Sequence, residues 1–185
     1  MASICVFCGS SSGARPTYAQ AARELGDALG RNGHRLVYGG ASVGLMGVLA
    51  DATLAAKGDV LGILPKELTW RERDHPRLGA ITYVSSMAAR KERMIAEADA
   101  FIALPGGIGT LDEIFEVLCG QLVKSHKKPL GLVDVEGYWR PLRELLNRGV
   151  DEAFTPATSR DAIVMAESAE TVLSTIVHQI SEPTS

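Results

Sequence analysis

A doubly wound α/β fold, one Rossmann-like domain with helices on both faces of a parallel sheet, is what this 185-residue sequence predicts. Three observations lead there. Short β-rich runs bounded by Gly, Pro or polar turns alternate with helical periodicities along the whole chain. Most of those runs are apolar throughout, as strands covered on both faces must be. No linker, repeat or low-complexity stretch interrupts the alternation, so residues 1–180 read as a single Rossmann-like domain and 181–185 as a flexible tail.

Taken in order, the first strand runs from Ile4 to Cys8 and ends at Gly9-Ser10-Ser11-Ser12-Gly13. Pro16 opens a helix, its fixed φ and missing N–H suiting a first turn, with Tyr18, Ala21, Ala22, Leu25, Ala28 and Leu29 at helical spacing. Arg35 to Tyr38 is the second strand, stopped by Gly39-Gly40, and Leu45 to Ala56 the second helix. Val60 to Leu64 and Ile81 to Val84 read as strands, Ser86 to Ala98 as a helix, Phe101 to Leu104 as a strand and Thr110 to Val123 as a helix. Leu130 to Val133, Tyr138 to Asn147, Ile163 to Met165 and Ser168 to Ile180 complete the pattern as strand, helix, strand and helix. Units of this kind join by right-handed crossovers, and their ligands lie outside the carboxyl ends of the strands near a switch in strand order. The turns 9–13, 39–40 and 105–107 all follow strands and therefore open on that edge. Glycine is also the permissive residue of any tight turn, so it is their convergence that points to a site.

Composition narrows the function classes. Hydrophobic residues make up 46% and the net charge is −3, which leaves no basic footprint for a nucleic-acid polymer. No apolar run approaches membrane-spanning length and Met1 to Cys8 lacks a positive n-region, so a cytoplasmic protein is expected. Cys5-Val6-Phe7-Cys8 spells C-x-x-C, but residues three apart on a strand face opposite sides, so the expected role is packing rather than redox or zinc chemistry. His34, His75, His126 and His178 are scattered without ligand spacing, and neither metal nor cofactor is expected.

Chemistry concentrates in two stretches. In Leu104-Pro105-Gly106-Gly107-Ile108-Gly109-Thr110-Leu111-Asp112-Glu113 an apolar segment runs through a glycine-rich turn into a helix. Without Cβ atoms the turn lets backbone N–H groups converge, and the helix end adds its dipole, so the natural guest is an anion. The turn is neither a Gly-Lys-Ser/Thr triphosphate loop nor G-x-G-x-x-G, which favours a single phosphate. Upstream, Met87, Arg90, Lys91 and Met94 fall at i, i+3, i+4 and i+7, so two cations interrupt an apolar helix stripe. Arg93 has Glu97 four residues on, whereas Arg90 and Lys91 have no acid three or four positions away. They either snorkel to water from the edge of the buried face or serve the anion site. Glu113 has two readings as well. Thr110-Leu111-Asp112-Glu113 spells a capping box, and a carboxylate in the first helical turn beside a phosphate site is also placed for catalysis.

With Tyr38-Gly39-Gly40-Ala41-Ser42-Val43-Gly44-Leu45-Met46-Gly47 and Lys128-Pro129-Leu130-Gly131-Leu132-Val133, the motifs M-x-x-R-K and P-G-G-x-G-T-x-x-E make the chain resemble the LOG family over residues 3 to 180. Its members are cytokinin riboside 5′-monophosphate phosphoribohydrolases, long labelled lysine decarboxylases. The resemblance implies hydrolysis of a nucleoside 5′-monophosphate, AMP included, to free base and ribose 5-phosphate, through an oxocarbenium-like transition state. It implies Arg90 and Glu113 as catalytic residues, with Lys91 and the Gly107 to Thr110 backbone on the phosphate. Substrate contacts are further expected at Ser10, Gly40, Glu72, Gly106, Ile108, Gly109, Leu111, Asp112 and Cys119. Glu72, eighteen residues before Arg90, is flanked by Arg71 and Arg73 and reads equally well as part of a surface salt bridge. A homodimer is implied too. Departures from the family pattern are Ala88 for the histidine of M-H-x-R-K, Ala41 for a third turn glycine, and Cys119-Gly120 where Thr-Trp is usual. They bear on base recognition and subunit contacts. Rival readings are a broader purine or pyrimidine nucleotide nucleosidase and a non-enzymatic nucleotide or cofactor carrier.

Overall fold

A computed structural model, describing residues 1–66 and 74–182, contains strands β1 (Ser3–Phe7), β2 (Arg35–Tyr38), β3 (Val60–Pro65), β4 (Ala80–Val84), β5 (Ala100–Ala103), β6 (Leu130–Val133) and β7 (Ile163–Ala166). The helices are α1 (Pro16–Arg31), α2 (Gly44–Ala55), α3 (Met87–Glu97), α4 (Ile108–Leu122), α5 (Arg140–Asp151), α6 (Ala157–Asp161) and α7 (Ala169–Ser181). All sheet pairings between these strands are parallel, in the order β4-β3-β2-β1-β5-β6-β7. The chain builds outward from β1 to β4, then returns to add β5 on the other side of β1. The order therefore reverses between β1 and β5, where loops leave in opposite directions and open a crevice.

Strand period two sorts the core into two layers. Ile4, Val6, Leu36, Tyr38 and Ile102 pack with Leu25, Leu49 and Val172 of α1, α2 and α7. Cys5, Phe7, Val37 and Phe101 pack on the other face with Met94, Ile114 and Leu142 of α3, α4 and α5. Helices thus cover both faces, as the strand and helix alternation requires. Cys5 and Cys8 fall into different layers, both buried and free, which agrees with a packing role for each. Each large apolar side chain sequestered this way contributes about 1.5–3 kcal/mol of transfer free energy.

The expected elements are present with shifted ends, and α6 is an addition. It follows Pro156, whose ring suits the start of a helix, but its five residues are too few to show a periodicity in sequence. Expected burial fails at β4, which pairs only with β3 and is half-exposed because it is an edge.

Candidate active site

A cavity of about 210 Å³ opens at the switch point. Its wall is Cys8, Gly9 and Ser10 from the end of β1, Gly39 from the turn after β2, and Met46 from α2. Met87, Arg90 and Met94 of α3 close one side, and Gly107, Ile108, Gly109, Thr110, Asp112 and Glu113 the other.

The turn after β5 is shaped by close approach. A Cβ on Gly106 would stand 2.0 Å from the Thr110 hydroxyl and 2.9 Å from the Gly9 nitrogen, so no other residue fits without displacing the turn. At Gly107 and Gly109 a Cβ would meet nothing within 4 Å, and this side is open. Helix α4 starts with extended Gly107 as its N-cap and no side-chain cap, and its first internal bond runs from the Leu111 N–H to the Gly107 carbonyl at 3.1 Å. The N–H groups of Ile108, Gly109 and Thr110 consequently have no acceptor within the helix, and all three residues line the cavity. Backbone donors and the helix dipole together make an anion site.

This start corrects the capping-box reading. Thr110 is the third helical residue and buried, not the cap, because glycine at 107 lets the helix begin earlier. Glu113 then stands in the second turn, past the capping positions, and lines the cavity.

Arg90 does not snorkel. It is 6% exposed, its Nε donates to the Ile63 carbonyl and its Nη2 to the Gly39 carbonyl, both at 3.1 Å, while Nη1 lies 4.0 Å from the Met87 sulfur. Room for this depends on glycine, since a Cβ on Gly39 would stand 1.9 Å from Nη2. Two backbone carbonyls thus hold a buried cation with its remaining donors beside the cavity. Arg90 and Glu113 share one neighbourhood, as the Cys8 thiol registers: burial pushes its pKa up, Glu113 pushes it further, and Arg90 opposes them.

Lys91 is placed differently from the sequence reading. Its Nζ lies 3.0 Å from Asp112 Oδ2 and 2.9 Å from Glu116 Oε2, and it is not part of the cavity wall. Hydrogen bonds to the Glu116 and Asp112 carboxylates, the former larger, raise its pKa against partial desolvation. A search along one helix misses these acids because they project from α4. Arg93 does pair with Glu97 along α3, as its spacing predicts.

The remaining expected residues divide. Ser10 reaches the cavity wall. Gly40, with φ +79°, and Gly106 lie behind it, their carbonyls accepting from the His75 N–H at 3.0 Å and the Tyr138 hydroxyl at 2.6 Å. Leu111 packs against the α3, α4 and α5 layer, and Cys119 is exposed farther along α4. Glu72 lies outside the described residues. Wall residues not named as substrate contacts include Val6, Phe7 and Cys8 at the end of β1, Gly9 and Gly39 in the glycine turns, and Met46 in the quoted stretch 38–47; the strand end and those turns were the available signal. Ala41 needs no left-handed backbone, because Gly40 and Gly44, at φ +79° and +58°, carry those conformations. Gly120 faces His126, whose Nε2 would lie 2.6 Å from an added Cβ. Among the described residues no group of His, Cys, Asp and Glu is arranged to hold a metal, and no helix is long and apolar enough to cross a membrane.

Comparison with known proteins gives a consistent result. A family model described as "Possible lysine decarboxylase" matches residues 46–176. The cytokinin riboside 5′-monophosphate phosphoribohydrolase LOG7 of Arabidopsis thaliana is 45% identical over 179 residues, covering 97% of this chain and 81% of that protein. The probable phosphoribohydrolase LOGL1 of Oryza sativa subsp. japonica is 45% identical over 170 residues, covering 92% and 76%. Among solved structures, the molybdenum cofactor binding protein of Rippkaea orientalis aligns with a TM-score of 0.73 and 26% identity over 97% of both chains. The molybdenum cofactor carrier protein of Chlamydomonas reinhardtii shares the fold, with a TM-score of 0.75 at 18% identity over 98% of this chain and 99% of that one.

Proposed function

The chain belongs to the LOG family, and from that premise we propose that it is a cytokinin riboside 5′-monophosphate phosphoribohydrolase, releasing a free base and ribose 5-phosphate. One observation carries the reading to this chain: helix N–H groups with no acceptor inside the helix and the Glu113 carboxylate line the same small cavity, beside buried Arg90. The phosphate rests on the amides of 107–110, which hold the ribose with its anomeric carbon toward Glu113. As the bond from C1′ to the base nitrogen breaks, positive charge develops on the ribose, and a carboxylate stabilises it or takes a proton from the attacking water. The water oxygen ends on C1′, and the base leaves with the bonding pair and a proton. Arg90 orients substrate and carboxylate from its two-carbonyl seat. Lys91 reaches the phosphate only by leaving Asp112 and Glu116, so the backbone turn is the primary anion contact.

Neither Lys91 nor Lys128 suits the decarboxylase description. A Schiff-base lysine must be readily deprotonated, whereas Lys91 is held charged by two carboxylates and Lys128 donates its Nζ to the Ile95 carbonyl at 2.7 Å. A non-enzymatic nucleotide or cofactor carrier is the second reading, motivated by the likeness to the Rippkaea orientalis cofactor-binding protein. Binding of a phosphate would not require a carboxylate facing the cavity, which favours the enzyme. Incubating the protein with AMP, N6-isopentenyl-AMP and a panel of other nucleotides, then assaying ribose 5-phosphate and the released base, separates these readings and identifies the preferred base.

Because much of the binding energy goes to the phosphate, 5′-monophosphates should be cleaved and the matching nucleosides should not. Equal turnover of adenosine and AMP would overturn this. A cytoplasmic homodimer belongs to the same proposal. Ile108, Phe115 and Leu122, seven residues apart on one face of α4, are 86%, 38% and 53% exposed, and Val123 extends the stripe. Ile108 also lines the cavity mouth, so a second copy on this stripe would shield the site from water. Light scattering should give twice 19.7 kDa, and an active monomer would refute it.

A further inference from the structure

The peptide between Gly106 and Gly107 is held from behind. With no Cβ on either side it is the link of the turn with the most freedom to flip, and a flip would present a carbonyl oxygen to the anion instead of an N–H. Tyr138, on the segment between β6 and α5, donates its hydroxyl to the Gly106 carbonyl at 2.6 Å. Its ring is set edge-on against Tyr18, with centroids 5.7 Å apart, and against buried Trp139, at 4.9 Å. The backbone N–H of Trp139 in turn donates to Asp134 Oδ1 at 2.6 Å, so the hydroxyl projects from a packed base.

In a trans peptide the C=O and N–H point in opposite directions. A hydroxyl that pins the Gly106 carbonyl therefore aims the Gly107 N–H away from Tyr138. The flanking carbonyls are engaged too, Pro105 by the Gly9 N–H and Gly107 by the Leu111 N–H, each at 3.1 Å. With three successive carbonyls committed, the N–H groups of Gly107 and Ile108 are left to turn toward the cavity that both residues line. A hydrogen bond on the carbonyl also polarises the peptide and strengthens its N–H as a donor.

We propose that Tyr138 is a positioning residue for phosphate recognition, presetting the Gly106–Gly107 peptide so that the Gly107 amide meets a phosphate oxygen. The proposal rests on the phosphate-monoester reading of the site. It assigns a role to a residue outside both sequence motifs and on a different element from the turn it serves.

Tyr138→Phe keeps the ring and its packing and deletes only the hydroxyl, so the protein is expected to fold. The experiment follows the amide signals of Gly107 and Gly109 by NMR during titration with inorganic phosphate and ribose 5-phosphate, alongside steady-state kinetics on AMP and a thermal melt. In the variant the Kd for phosphate and the KM for AMP should rise about tenfold, the scale of one hydrogen bond to a charged group, while kcat falls less than about threefold. Unchanged phosphate affinity would overturn the proposal, and so would a lowered melting temperature with phosphate affinity intact, which would make the bond purely structural. Should the wild type release no ribose 5-phosphate while phosphate binding still depends on Tyr138, the enzymatic reading falls and this one stands. Normal cleavage of AMP with a variant indistinguishable from wild type gives the reverse.

Discussion

Glu113→Gln is expected to lower turnover of AMP by at least ~100-fold while leaving nucleotide binding and folding nearly intact. The substitution preserves size and hydrogen-bonding capacity and removes only the negative charge. An amide cannot stabilise an oxocarbenium ion as a carboxylate does, nor accept a proton from water. Glu113 is not at a capping position, because α4 begins at Ile108 with Gly107 as its cap and Glu113 stands in the second turn. Affinity for AMP should persist, since the proposed phosphate contacts are backbone N–H groups. Single-turnover base release, calorimetric binding of AMP and a thermal melt, measured together, decide the matter. A variant that releases base at the wild-type rate would leave the proposed site without its catalyst.

Arg90→Ala should damage stability, binding and turnover at once. The side chain is buried and satisfies the carbonyls of Ile63 and Gly39, so its removal strips two interior acceptors of their donor. A carbonyl left that way costs roughly 1–3 kcal/mol, reduced here because water from the adjoining cavity can reach the gap. Gly39 would also lose the contact that holds its turn against the site. We expect a destabilisation of about 2 kcal/mol, a KM for AMP raised about tenfold and kcat reduced about 100-fold or more. Arg90→Lys retains the charge but not the planar fork that reaches two carbonyls, so it should recover only part of the loss. A normal melt together with a normal KM in Arg90→Ala would show that neither the turn nor the substrate relies on the guanidinium.

Much of the site was legible before any fold was known, and the reasons differ by residue. Pro105-Gly106-Gly107 ahead of an amphipathic helix announces an anion turn through local backbone chemistry alone. Arg90 is conspicuous as a cation in an apolar stripe, but its seat is not, because Ile63 and Gly39 lie 27 and 51 residues away. Lys91 shows the limit more sharply. Its neighbours along α3 hold no acid, and its partners Asp112 and Glu116 face it from α4, which no single-helix spacing rule can see. The capping box failed for a related reason: the Thr-x-x-Glu spacing is real, yet Gly107 allows the helix to start before Thr110.

By itself the sequence determined what short-range physics controls. Period two in the strands and 3.6 in the helices, Pro16 at a helix start and Gly at the turns specify βα units, and strict βα alternation leaves a parallel sheet covered on both faces. The glycine turns after β1, β2 and β5 were thereby assigned to one edge. Only the tertiary structure decided which side chains meet at that edge. The reversal of strand order between β1 and β5 opens the crevice, sets Arg90 and Glu113 around one cavity and diverts Lys91 to two carboxylates. It also brings the Tyr138 hydroxyl behind the Gly106 carbonyl. Those contacts join residues tens of positions apart, and their geometry depends on how helices from separate βα units pack on a common sheet.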